Sequence, residues 1–338
     1  MEDALLNWYE KNQRCLPWRA KKGEKPNPYF VYLSEIFLQQ TTVATVIDYF
    51  NRFINRWPTL EDLAKASEHE VLTEFQGLGY YSRARNLEKC VKKFVNDGCI
   101  PTTFKRLLDY PGIGDYTAKA VAAIAFNESV IPIDGNVIRV FSRYFGLKNL
   151  LPSLKKDVLE KTFEFAILKN PGDFAQSLMD LGSMICKPQN PLCDICPLKS
   201  SCVAKRQNLQ NVLPLKAQKI KKPKKIGTAF IFHTKDAILL EKNETERLLK
   251  NLWGVPTSPW IEVESLLKEK DSIIHVFTHF TLQLNIQSEE IKSVQNFKLK
   301  ENQVFVLKKN LKNYPLSTLM KKVLNKGHIM LEDITDIK

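Results

Sequence analysis

The chain has 338 residues, 44% of them apolar, enough for two domains with a core each and too apolar for a disordered polypeptide. Fifty Lys and Arg against 37 Asp and Glu leave a formal net charge of +13, which points to a polyanionic partner, most often nucleic acid. The start, MEDALLNWYEKN, lacks the apolar core of a signal peptide, and no stretch has transmembrane length, so an intracellular, cytoplasmic and reducing setting away from membranes is expected.

Residues 1–205 read as helix after helix. Ser34 to Phe53 places Ile36, Phe37, Val43, Val46, Ile47 and Phe50 close to a 3.6-residue period, which predicts one helix with Glu35 in its first turn. Breaks are expected at Trp57-Pro58, Gly77-Leu78-Gly79, Pro111-Gly112 and Pro171-Gly172. Thr117 to Phe126 is Ala-rich and helix-forming. Residues 206–226 change character: KAQKIKKPKK holds six lysines and a proline in ten residues, a self-repelling, solvated linker. From residue 227 to 338 the pattern turns β-rich. GTAFIFHT, DAILLEKN, HVFTHFTLQLNIQ and NQVFVLKK predict strands, and helices near Ile261–Glu269 and Leu316–Asn325 make this part α+β.

Three features carry chemistry. Leu108 to Thr117, LDYPGIGDYT, is a glycine turn opening onto a helix. Gly112 and Gly114 let the backbone approach a ligand, and the helix N-terminus adds partial positive charge, a combination suited to phosphate. Asp134, in IDGNVIRV, stands just before a helix, where an N-cap is the plain reading; Glu35 alone reads as a first-turn surface acid. If the two converge, they suit an acid and stabiliser pair for cleaving a bond to a sugar. Cys186, Cys193, Cys196 and Cys202 follow the order C-x6-C-x2-C-x5-C. Four thiolates in so short a span suit a soft metal centre, with an iron–sulfur cluster and a tetrahedral zinc site both open on spacing alone. Cys15, Cys90 and Cys99 sit apart as ordinary reduced thiols.

Together the hairpin, the downstream Asp and the cysteine spacing resemble the helix-hairpin-helix DNA glycosylases related to endonuclease III. Within that superfamily, LPWR at Leu16–Arg19, SEIFLQQTT at Ser34–Thr42, GLGYYSRARNL at Gly77–Leu87 and IDGNVIRV are similar to the MutY-type adenine DNA glycosylases. The implied fold is multidomain: an all-α helix-hairpin-helix glycosylase domain with an iron–sulfur cluster loop, then an α+β nudix-like C-terminal domain. The implied activity is monofunctional excision of adenine mispaired with 8-oxoguanine or guanine, by a monomer acting on double-stranded DNA in base excision repair.

The resemblance assigns roles residue by residue. Glu35 protonates the N7 atom of an extrahelical adenine. Asp134 stabilises the oxocarbenium ion, as an ion pair or through a transient adduct, while Asn136 holds Asp134 and Tyr116 lines the site. Tyr116 stands where glycosylase-lyases carry a Schiff-base lysine, and a phenol forms no imine. Arg19, Gln40, Thr41, Leu78 and Tyr80 fall at positions that meet DNA, with Tyr80 beside the opposing base and Gln40 and Leu78 probing the stack. Phe277, Thr278 and His279 replace a Phe-Ser-His loop that reads 8-oxoguanine; Thr278 keeps the hydroxyl and adds a methyl group. Glu241, Glu244 and Glu246 lack the spacing of a nudix catalytic box, so nucleotide hydrolysis is not expected. The four cysteines then hold a [4Fe–4S] cluster, flanked by Lys187, Lys199, Lys205 and Arg206 as candidate phosphate contacts. The rival readings are an endonuclease III-like glycosylase-lyase for oxidised pyrimidines and a DNA-damage binding protein without catalysis.

Overall fold

A computed structural model of the chain describes residues 1–165, 168–216, 221–244, 248–267 and 269–329. Residues 217–220 of the expected linker, Lys268 of the expected 261–269 helix, and Glu246 lie outside the described residues. In chain order the helices are α1 (Glu2–Asn12), α2 (Pro28–Leu38), α3 (Val43–Arg56), α4 (Leu60–Lys65), α5 (Glu68–Glu74), α6 (Ser82–Asn96), α7 (Phe104–Leu107), α8 (Asp115–Phe126), α9 (Gly135–Phe145), α10 (Ser153–Thr162), α11 (Pro171–Met184) and α12 (Val203–Arg206). The strands β1 (Lys224–His233), β2 (Ala237–Lys242), β3 (Trp253–Gly254), β4 (Ile261–Val263), β5 (Ser272–Val276), β6 (Thr281–Glu290) and β7 (Gln303–Leu307) precede α13 (Thr318–Lys326). The chain divides into two compact units, residues 1–65 with 89–219, and residues 66–88 with 220–338.

In the first unit, α2 is the central helix. Pro28 opens it, Asn27 Oδ1 accepts from Tyr29 N at 2.9 Å, and Val31 through Phe37 are all buried. Ala-rich α8 packs against both α2 and α11, its small side chains allowing close approach. A Cβ on Gly172, at the start of α11, would lie 3.0 Å from the Ala123 carbonyl oxygen. Leu5, Val137, Phe141, Leu154, Phe174 and Leu178 form the core among α1, α9, α10 and α11.

The expected helix from Ser34 to Phe53 is in fact two. α2 stops at Leu38, Gln40 takes a left-handed φ of 57°, and Thr42 caps α3 by accepting from Thr45 N. The apolar period stayed in phase across the turn, which hid the break, although Thr42 ahead of Val43 is an N-cap signal. Glu35 therefore sits in the C-terminal half of a buried helix, not in the first turn of an exposed one.

The second unit is built on a seven-stranded sheet of order β3-β2-β1-β6-β5, with β4 paired to β1 and β7 to β2. β1 and β6 run parallel from Lys224↔Thr281 to His233↔Glu290. Along β1 only Gly227, Ala229 and Ile231 are buried, a period of two, and Ala229 and Ile231 meet Leu319, Val323 and Leu324 of α13 in the core. Two expectations need correction. Ile261–Val263 is the strand β4 rather than helix, because its backbone pairs with Lys224–Ile226 of β1. The stretch 275–287 is broken by a tight turn in which Phe277 N donates to Phe280 O at 2.9 Å, so Thr278 and His279 sit on a turn between β5 and β6, not on alternate faces of one strand.

Candidate active site

Glu35 projects from α2 into a small internal pocket of about 40 Å³ walled by Trp18, Arg19, Leu38, Ile124, Gln176 and Met179, among others. It is 4% exposed, and its Oε2 atom has no hydrogen-bond partner within the protein. Burial pushes its carboxyl up to about 7; the nearby Asp134 charge adds to the rise, while Tyr116 and Arg19 work against it. The Tyr116 hydroxyl meets Met179 Sδ at 3.9 Å and is itself pushed far up by burial and by the two acids. Glu35, Asp134 and Tyr116 are thus within electrostatic reach of one another.

Asp134 is the N-cap of α9, so the plain reading holds as well. Its Oδ1 accepts from Val137 N at 2.7 Å and its Oδ2 from Asn136 Nδ2 at 2.7 Å. Asn136 Oδ1 in turn accepts from Arg139 Nη2 at 2.8 Å, and Arg139 also donates to the carbonyls of Gly182 and Cys186, each at 2.7 Å. A Cβ at position 182 would sit 2.7 Å from Asn136 Cβ, so any larger residue there must displace Asn136. Arg139 was absent from the expected set although it stands inside the quoted motif. An arginine one turn beyond an Asp-Gly-Asn cap was the available signal.

Arg19 reaches the pocket wall held by another residue the sequence reading missed. Asp180, fully buried on α11, accepts from Arg19 Nη1 at 2.7 Å, from Arg19 Nη2 at 2.9 Å and from Arg14 Nε at 2.7 Å. Burial alone would raise the Asp180 carboxyl, but the two guanidinium groups hold it below its ordinary value. An acid within the apolar run SLMDLGSM was its sequence signal.

The expected phosphate turn joins α7 to α8. Gly112 takes φ 77°, and Gly114 caps α8 without a side-chain oxygen, so the first-turn amides remain for an outside acceptor such as a phosphate. Gln40 is exposed on its left-handed residue, and Thr41 follows it with Oγ1 on the Gln39 carbonyl at 3.3 Å.

The remaining expected contacts belong to the second unit. Gly77, Gly79 and Tyr80 all have left-handed φ values, of 98°, 69° and 48°. Buried Arg83 ties this turn by donating to the carbonyls of Leu78 at 3.0 Å and Gly79 at 3.1 Å. Tyr80 is 44% exposed, whereas Leu78 is 6% exposed and points inward in the free protein. The Tyr80 hydroxyl lies 2.9 Å from Thr278 Oγ1, at the edge of a cleft of about 420 Å³ that His275, Phe277 and His279 also line. Phe277 is fixed between His275 and Phe280, with ring centroids 4.6 and 4.7 Å away.

The cysteine loop follows α11. Among the described residues no three Cys, His, Asp or Glu side chains converge tightly enough for a single metal ion. Yet burial, and then the neighbouring Cys186, Cys202 and Cys193, push the Cys196 thiol up to about 11. Arg143, 2% exposed, donates to Cys186 Sγ at 3.3 Å and to the carbonyls of Leu213, Lys187 and Pro188. Four soft donors in one loop, backed by a buried cation, fit a cluster carrying net negative charge. The four cysteines are the residues that would hold such a cluster, and bound to it they would tie residues 186–202 together. Of the flanking cations, Lys205 pairs with Asp194 at 2.9 Å and Lys199 caps the Asp194 carbonyl at 2.9 Å.

Comparison with known proteins agrees with this geometry. Residues 33–165 match the model of the HhH-GPD superfamily base excision DNA repair proteins, residues 186–202 that of the iron–sulfur binding domain of endonuclease III, and residues 227–326 that of the NUDIX domain. An adenine DNA glycosylase of Buchnera aphidicola (Schizaphis graminum) is 35% identical over 300 residues, covering 83% of this chain and 84% of the relative. The adenine DNA glycosylase of Rattus norvegicus is 44% identical over 209 residues, 59% of this chain, which spans only 40% of that longer protein. The structure of a thermostable thymine-DNA glycosylase is similar over 61% of this chain and 94% of its own, with 28% identity and a TM-score of 0.53. A relative matched along most of both lengths, together with the superfamily and iron–sulfur domain models, places the chain in the adenine DNA glycosylase family of base excision repair.

Proposed function

We propose that the chain hydrolyses the N-glycosidic bond of adenine mispaired with 8-oxoguanine or guanine in duplex DNA, as a monomeric, monofunctional glycosylase working inside the cell. The observation that carries this reading is Glu35, a buried carboxyl poised at about 7 with one oxygen unpartnered, beside the fixed carboxylate of Asp134. General acid catalysis needs a group still protonated near neutral pH, and burial supplies it here.

With adenine swung into the pocket, Glu35 gives its proton to N7. The C1′–N9 bond then breaks with its electron pair going to the purine. Positive charge develops on the sugar, where Asp134, immobilised by Val137 N and Asn136, stabilises it without reorganising. Glu35, now ionised, takes a proton from the water that adds to C1′ and is restored. The products are free adenine and an abasic site. Tyr116 offers no amine for an imine, so strand cleavage does not follow.

Discrimination of the opposing base is assigned to the Tyr80–Thr278 cleft, which offers hydroxyl groups and stacked rings. The test is single-turnover adenine release from an 8-oxoguanine·adenine duplex, with a thymine-glycol duplex alongside, scored before and after alkali. Alkali-dependent cutting at adenine alone is expected. Cutting of the thymine-glycol strand without alkali would favour a glycosylase-lyase, and tight binding without release a non-catalytic damage binder.

A further inference from the structure

The Glu35 pocket has a second neighbour besides the side from which DNA would deliver a base. A groove of about 980 Å³ runs between α1, residues 13–28, and the ends of α8 and α11. Trp18, Arg19, Val31, Ile124 and Gln176 line both the groove and the pocket, so a large part of the pocket wall is also groove wall. Along its outer edge the groove is lined by Lys21, Lys22, Gly23, Glu24 and Lys25, all exposed, which opens it to solvent. Its lining offers aromatic faces from Tyr9 and Trp18 and side-chain amides from half-buried Gln176 and from exposed Gln13 and Asn127, groups that suit a neutral planar purine.

The shared wall has a fixed part and an adjustable part. Arg19 is clamped by Asp180, and Trp18 stacks edge-on against Phe50 at 5.4 Å. The same wall includes half-buried Ile124 on α8 and the long, unbranched Gln176 on α11. The pocket as it stands holds only about one to three waters. Adenine must therefore spread this wall on entering, and spreading it toward Ile124 and Gln176 joins pocket to groove.

We propose that the groove is the exit for the excised base: neutral adenine leaves through the Ile124–Gln176 side while the abasic strand still occupies the front of the site. The inference rests on reading the Glu35 pocket as the adenine pocket. It predicts that the two products leave independently, the small one first.

The experiment follows both products from the intact protein in one reaction. The enzyme in excess acts on a duplex with labelled adenine opposite 8-oxoguanine; alkali-scored abasic sites report excision, rapid filtration reports free adenine, and gel retention reports bound strand. Wild type is expected to free adenine at least tenfold faster than it frees the strand. Ala20→Trp and Asn7→Trp plug the groove at positions outside the Glu35 pocket, on a loop and on an exposed face of α1. Each is expected to slow adenine release at least tenfold at unchanged excision, and agreement between two sites separates plugging from local misfolding. Simultaneous release of adenine and strand by wild type, or unslowed adenine release by both folded variants, would overturn the exit. Failure of wild type to form abasic sites would instead remove the adenine-pocket reading, and the exit with it.

Discussion

Under the proposed function, the Glu35 pocket and the Tyr80–Thr278 cleft would solve opposite problems with opposite physics. In the first unit an acid is taken out of water and left with an unpartnered oxygen, so that its proton is available near neutrality. Around it, charge is pinned: Asp134 by Val137 and Asn136, and Arg19 by Asp180. In the second unit the corresponding groups are neutral hydroxyls and rings, exposed or half-exposed, and what is pinned is the backbone. Tyr80 is presented from a left-handed turn tied by Arg83, a conformation that costs energy unless its surroundings enforce it. On the proposed function, bond cleavage needs a displaced proton equilibrium, which burial chiefly supplies; reading a partner base needs an accessible surface of fixed shape.

The contrast is broken most severely at Glu35. Glu35→Gln removes the proton donor and keeps the shape, so single-turnover excision should fall about 10²–10⁴-fold. Binding to an 8-oxoguanine·adenine duplex should stay within about twofold. Unchanged excision would remove Glu35 from the acid role.

The same substitution has a stability consequence with a definite sign. A carboxyl raised to about 7 in the folded chain holds its proton there between its ordinary range and pH 7, where the unfolded chain has lost it. Stability from this group is therefore complete at low pH and lost as pH rises through about 7. The loss is about 3 kcal/mol. Glu35→Gln should accordingly be more stable than wild type in urea at pH 8 and no more stable at pH 4. An equal difference at both pH values would show that Glu35 does not titrate in this way.

A subtler break reaches Asp134 from behind. Gly182→Ala puts a Cβ against Asn136, which must move and loosen its grip on Asp134 Oδ2. A misplacement of this size is expected to cost about 100-fold in excision. Far-ultraviolet circular dichroism and duplex binding should be preserved. Excision at the wild-type rate would mean that Asn136 does not position the carboxylate.

How much of this was visible in the sequence depends on how local each feature is. The glycine hairpin, the Asp134 cap, the cysteine spacing and most of the strands are short-range patterns, legible in a ten-residue window. The gap between α2 and α3 was missed because the apolar period continued across it, and the turn at Phe277–Phe280 because both flanks alternate as one strand would. Asp180 and Arg139 were missed for a different reason. Their partners, Arg19 and the carbonyl of Cys186, lie far away in sequence, and no local pattern announces a long-range ion pair or hydrogen bond. Burial of Glu35 is likewise a property of α3 and α8 packing against α2, not of residues 33–41.

The smallest effects belong to the reading cleft and sharpen the comparison from its other side. Tyr80→Phe deletes the hydroxyl that meets Thr278 Oγ1 at 2.9 Å while the ring and the left-handed turn remain. One neutral hydrogen bond is worth about 0.5–1.5 kcal/mol, so preference for 8-oxoguanine over guanine opposite adenine should fall about two- to tenfold. Thr278→Ala should produce a similar loss, and the double variant no more than either alone, because both remove the same bond. Thr278→Ser keeps the oxygen and drops only the methyl group, so it should stay within about twofold of wild type. Single-turnover excision at saturating enzyme should be nearly unaffected in all of them, since none touches the Glu35 pocket. Additive losses in the double variant would show that the two hydroxyls act separately on the opposing base, and that what this cleft fixes is the backbone alone.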